Sequence, residues 1–139
     1  MPHISEIFEM VDQEPKRSKK IEILQQHKSP QLETILKYTY DKRLQFRISN
    51  FPEYQPDPSP ADTAYANLTR QSSKLHHFLD DKANPLTPTK VNVLMIQLCE
   101  SLSSQEADIV YNMVVHRRQL AKGMTLKLVQ EAFPDLIDA

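Results

Sequence analysis

Apolar residues recur along this chain at a spacing that covers one face of a helix, and prolines cut that pattern into pieces. Ile4, Ile7, Phe8 and Val11 fall on one stripe, with Ser5 as an early cap and Pro15 as the break. Ser18 to Gln26 carries Ile21, Ile23 and Leu24. Ser29-Pro30 opens a third helix, proline being favoured in a first turn, with Leu32, Ile35, Leu36 and Tyr40 as its inner face. From Lys42 to Asn50, Leu44, Phe46 and Ile48 alternate; that period of two fits a short strand or an irregular helix, and it is assigned here to helix. Four prolines lie between Pro52 and Pro60, which forbids helix and favours an extended surface loop. Helical spacing resumes from Ala61 to Leu79 and breaks again over Asn84 to Pro88. Thr87 or Thr89 then caps Lys90 to Leu102. Ser103-Ser-Gln-Glu106 has the form of a capping box and leads into Ile109, Val110, Met113 and Val114. A last helix runs from about Thr125 to Ala132 and ends at Pro134. The expectation is an all-α fold: one compact domain over residues 1–139 with about seven helices and a proline-rich surface loop at 52–60.

Glycine content narrows the function classes. The only glycine in 139 residues is Gly123. A phosphate-cradling loop of the Walker type and a dinucleotide-binding turn each need several glycines, because only glycine lets the backbone turn tightly against a phosphate. The same argument removes a nucleophile elbow. The five histidines include the adjacent pair His76-His77, which on a helix point about 100° apart and chelate one metal poorly. No His-x-x-x-His or Cys-x-x-Cys spacing occurs. Asp80-Asp81 reads as a solvated pair. No catalytic constellation, metal site or cofactor is expected, so the chain is read as a non-enzyme. Cys99, the single cysteine, lies in an apolar run and is expected to be a buried small hydrophobe in a reducing compartment. The chain has no apolar run of membrane-spanning length and no signal-peptide pattern, so it is placed in the cytoplasm, away from membranes.

The formal net charge is −1, yet the cations are grouped. Lys16, Arg17, Lys19 and Lys20 form a run expected to be solvated. Lys37, Lys42, Arg43 and Arg47 form a second group, and Arg117, Arg118, Lys122 and Lys127 a third. A near-neutral protein can still present a basic face. In the third group, Gly123 can take the left-handed conformation that stops one helix, and Thr125 can cap the next. A helix start flanked by Arg118, Lys122 and Lys127 suits a phosphate. An ordinary helix corner with solvated charges accounts for the same residues.

These residues form a pattern with a counterpart. Arg118-x-Leu120-x-x-Gly123-x-Thr125, closing on Phe133-Pro134, resembles the end of the N-terminal DNA-binding domain of ATP-dependent DNA ligases, especially those of tailed phages. A second block, Leu36-Lys-Tyr-Thr39-Tyr40-Asp-Lys42-Arg-Leu44-Gln45-Phe46-Arg-Ile48-Ser-Asn-Phe51-Pro52, is similar to another part of that domain. The resemblance implies an all-α, phage-encoded module that holds the backbone and minor groove of duplex DNA without sequence preference. By position it implies Arg118, Gly123 and Thr125 as motif residues. With them stand the neighbouring cations Arg117, Lys122 and Lys127, and Lys42, Arg43 and Arg47 as a second DNA contact. Leu120, Phe133, Tyr40, Leu44 and Phe46 correspond to packing positions. The chain has no Lys-x-Asp-Gly adenylation motif, so it is expected to bind DNA without ligating it. The alternative is a protein-interaction or structural subunit of a phage replication, transcription or virion assembly, docking through the Pro52–Pro60 loop onto a phage or host protein.

Overall fold

The computed structural model describes residues 3–41, 43–48, 50–59, 63–64, 66–115, 121 and 123–137. Among them the chain is all-α. Its helices are α1 (Ile4–Gln13), α2 (Arg17–Gln26), α3 (Pro30–Tyr40), α4 (Leu68–Gln71), α5 (Pro88–Ser101), α6 (Ser104–Val114) and α7 (Leu126–Ala132). A 3-10 helix, Ser72–Phe78, continues directly from α4. No described helix is long and apolar enough to cross a membrane.

Helix starts follow side-chain chemistry. The first turn of a helix leaves backbone N–H groups without partners, and a short polar side chain just before it can accept one, a contact worth about 1 kcal/mol. Ser29, Asn67, Thr87, Ser103 and Thr125 do this for α3, α4, α5, α6 and α7, at 2.9 to 3.3 Å. Of the two threonines offered for α5, Thr87 is the cap. Ser5 is not a cap: His3 holds that position in α1, and the Ser5 hydroxyl is buried without a partner.

The core runs as one cluster from Ile4 to Ile137. Helix α6 sits at its centre and packs against α1, α3 and α5, while α2 joins α1 to α7. Leu24, Leu32, Ile35, Leu36, Val91, Met95, Val110 and Met113 are fully buried. Each such side chain contributes about 1.5–3 kcal/mol relative to exposure. Cys99 behaves as the small hydrophobe expected: it is buried 3.8 Å from the Met95 sulfur, and burial pushes its thiol up to about 12.

Two segments depart from the expected helices. Residues 43–48 form no helix, and Phe46 pairs with Leu79 in an isolated antiparallel bridge, while Lys42 and Ser49 lie outside the described residues. Arg47 N–H donates to the Phe78 carbonyl and Asp80 N–H to that of Gln45. The alternation of Leu44, Phe46 and Ile48 therefore belongs to a strand-like path. Of the helical stretch assigned from Ala61, residues 61, 62 and 65 lie outside the described residues and 63, 64, 66 and 67 are not helical; the helix from Leu68 tightens to a 3-10 turn after four residues. His76 and His77, expected to diverge on a regular helix, have ring centroids 4.1 Å apart there. Among the described residues no group of three or more His, Cys, Asp or Glu side chains is placed to hold a metal ion.

Glu106 ties the late helices to the early ones. In a capping box its carboxylate would fold back on the Ser103 N–H. Instead Oε1 accepts from the Leu68 N–H at 3.2 Å, across to the start of α4, while Ser103 Oγ accepts from Glu106 N–H. Glu106 is fully buried and its Oε2 has no partner. Desolvation raises this carboxyl above the usual range, and nearby Glu6 adds to the rise; the Leu68 N–H and His3 oppose it.

A folded-state carboxyl above its unfolded value means that the native state holds the proton more tightly. The stability that this group contributes is present below the unfolded pKa and is lost as pH rises through the raised folded value. Urea denaturation between about pH 5 and pH 8 should show this loss in the wild type. Glu106→Gln keeps an acceptor for Leu68 and removes the titration, so its stability should vary less over the same range. Parallel curves for the two proteins would contradict the assignment.

Candidate nucleic-acid interface

The turn at Gly123 is built from three directions. Gly123 has φ +78°, the left-handed region that L side chains rarely adopt. It also has a close neighbour: a Cβ placed there would lie 3.2 Å from Lys20 Cε. Lys20 is thus not the solvated residue expected from its basic run. It is 7 % exposed, and its Nζ donates to the Val11 carbonyl at 2.6 Å, in the last turn of α1. That is the end of a helix where unpaired carbonyls and the dipole favour a cation. From the third side, the buried Tyr40 hydroxyl donates to the Met124 carbonyl at 2.5 Å.

Helix α7 is fastened to α2 at its last turn. Arg17 pairs with Glu131, and Gln25 Nε2 donates to the Ala132 carbonyl at 3.2 Å. The Arg17 hydrogen bond holds the Glu131 carboxyl below its ordinary range. Met124 and Leu128 point inward, whereas Gly123, Thr125 and Lys127 are exposed. Thr125 Oγ1 accepts from Leu128 N–H at 3.2 Å, as the sequence predicts. That bond uses one of the first N–H groups of a seven-residue helix. The capacity of this surface to hold an anion therefore rests mainly on its cationic side chains. Of those expected here, Lys127 is exposed on α7, while Arg117, Arg118 and Lys122 lie outside the described residues.

The second group of cations is divided. Arg43 is exposed at the end of α3. It is paired with Asp41 through Nε and Nη2 at 3.2 and 3.1 Å, and this pairing holds the buried Asp41 carboxyl below the usual range. Arg47 has another occupation. Its guanidinium donates to Asp80 Oδ1 and to the carbonyls of Asp81, Asn84 and Leu86, at 2.5 to 3.1 Å. It clamps the loop before α5, and its fork is filled by protein acceptors. Lys42 lies outside the described residues. Of the residues read as packing, Tyr40 and Phe133 are buried, Leu44 and Phe46 half-buried, and Leu120 lies outside the described residues. Sequence spacing missed Lys20 and the Tyr40 hydroxyl. The one available signal was that Lys20 stands four residues before Leu24, on the buried stripe of α2.

Two substitutions test this geometry. Gly123→Ala should cost about 1–2 kcal/mol from the left-handed backbone alone, with any displacement of Lys20 adding to it. Arg47→Lys keeps the charge but loses the planar fork, and should cost about 2 kcal/mol. Both are read from urea denaturation midpoints. A cost below about 0.5 kcal/mol for either would remove the structural role given to that residue.

A sequence profile of one family matches residues 7–122. No match was found among curated proteins or among solved structures. The matched stretch takes in Lys42, Arg43, Arg47, Arg117, Arg118 and Lys122 and stops just before Gly123, leaving Thr125 and Lys127 beyond it. With most of its length matched, the chain belongs to the DUF6433 family, a family of unknown function.

Proposed function

We propose that this protein is a non-catalytic module that binds duplex DNA through its phosphate backbone, without sequence preference. The observation that carries the reading is the bond from the Tyr40 hydroxyl to the Met124 carbonyl, which spans 84 positions in sequence. Tyr40 belongs to one of the two ligase-like sequence blocks and Met124 to the other. Two blocks that resemble one DNA-binding domain thus meet in the interior, at the turn that exposes Gly123, Thr125 and Lys127.

The contact set is drawn from the cations of the two sequence groups. Lys127 on α7, with Arg117, Arg118 and Lys122 just before the turn in sequence, forms the main group. Arg43 adds an exposed cation, two of whose donors are engaged by Asp41, and Lys42 is its neighbour in sequence. Arg47 is left out because its donors are satisfied within the protein. Phosphate contacts of this kind position a protein on DNA and carry no sequence information.

Fluorescence anisotropy with labelled nicked and intact duplexes over a salt titration tests the proposal. Affinity should fall linearly on a logarithmic salt axis, by about 0.9 in slope for each phosphate neutralised. The double variant Arg118→Glu with Lys122→Glu should weaken binding equally on unrelated sequences and flatten the slope by about two. The absence of binding to either duplex at low salt would overturn the DNA reading. Unchanged affinity in the double variant would overturn the site.

A further inference from the structure

A second surface has the opposite chemistry. Phe51, Pro52, Glu53, Tyr54 and Gln55, together with Asp108 and Tyr111 of α6, line an open cavity of about 480 Å³. The Phe51 ring stands edge-on to two others: Tyr54 at 5.7 Å and 69°, and Tyr111 at 5.0 Å and 76°. All three rings are half-buried, and Glu53 and Asp108 are exposed. Among the described residues, no lysine, arginine or histidine lines the cavity. Neither carboxylate has an ion-pair partner among the described residues.

The wall formed by the loop is held in place. Gln55 N–H donates to Glu100 Oε2 at 3.3 Å, and Asp57 N–H to the Leu102 carbonyl at 2.9 Å. Asp57 also pairs in parallel with Ser103 at the corner between α5 and α6. The prolines flanking Glu53 to Gln55 restrict the backbone further. The aromatic faces are therefore in position before anything binds. The phenol of Tyr54 reports the local field: burial first, then Cys99, Asp108 and Tyr111, push it up to about 12.

Perpendicular aromatic rings present negative faces, and two carboxylates beside them add full negative charge. A cation is attracted by both, and a phosphate is repelled by both. Arginine fits best, because its guanidinium stacks on an aromatic face while its N–H groups reach a carboxylate. We infer that this cavity is a docking site for an arginine side chain presented by a partner protein. The inference does not rest on the DNA-binding reading, since it uses different residues and the opposite charge.

The test is an NMR titration of the full chain with acetyl-Ala-Arg-Ala-amide, and with the same peptide carrying citrulline, which keeps the shape and loses the charge. The arginine peptide should give saturable shifts confined to residues 51–55, Asp108 and Tyr111, and the citrulline peptide should bind several-fold more weakly. Glu53→Gln with Asp108→Asn alters only exposed side chains and should weaken arginine binding about fivefold. Tyr111→Leu, which retains bulk without a ring face, should weaken it as well. Equal binding of both peptides, no saturable shift, or full affinity in the Glu53→Gln, Asp108→Asn protein would each overturn the inference. So would shifts at these residues that depend on protein concentration alone, which would identify a second copy of the chain as the occupant.

Discussion

A lysine taken out of water must find an acceptor for its ammonium group, and Lys20 finds one at the Val11 carbonyl, 2.6 Å away. This bond joins α1 to α2. The stem of the same side chain then lies against Gly123, where there is no room for a methyl group without movement. One residue thereby couples the first two helices to the turn that launches the last. Tyr40 supports that turn from α3, and Arg17 and Gln25 hold α7 along α2. The exposed residues of the turn owe their placement to contacts from α2 and α3, Lys20 of α2 being itself tied to α1. The hydrophobic effect closes the core, but it is not directional and would not by itself fix the turn's orientation.

The same device recurs at other irregular segments among the described residues. Arg47 gathers Asp80 and three carbonyls before α5. Asn84 donates to the carbonyls of His77 and Leu79, and Glu106 reaches the first N–H of α4. A chain with one glycine has few left-handed residues with which to finish helices. It ends α1, α3 and α5 on extended residues instead, and its polar side chains satisfy the loops that follow. Glu106 is the costly member of this set, because one of its oxygens is buried without a partner.

The two surfaces proposed to act differ in sign. The basic one is centred on a turn held from beneath by Lys20 and Tyr40, with Lys127 exposed just beyond it. The acidic, aromatic one is a cavity walled by a proline-bounded loop that is hydrogen-bonded to the α5–α6 corner. Such a division would let one near-neutral domain engage a phosphate backbone and a basic protein segment without competition between them.

Local pattern determined much of this protein. The apolar stripes of α1, α3 and α6, the caps Ser103 and Thr125, the left-handed Gly123 and the buried Cys99 all follow from interactions within a few residues, and sequence spacing displays these directly. Where the pattern was ambiguous, the tertiary structure decided. The alternation at Leu44, Phe46 and Ile48 became a bridged, non-helical segment because Leu79 and Phe78 offered it backbone partners more than thirty residues away. The stretch read as helix before Leu79 shortened to α4 and a 3-10 turn. The roles of Lys20, Arg47, Glu106 and the Tyr40 hydroxyl were not legible either. A charged or polar side chain looks solvated in sequence, and only the packed structure shows which distant carbonyl or N–H it must satisfy once water is excluded.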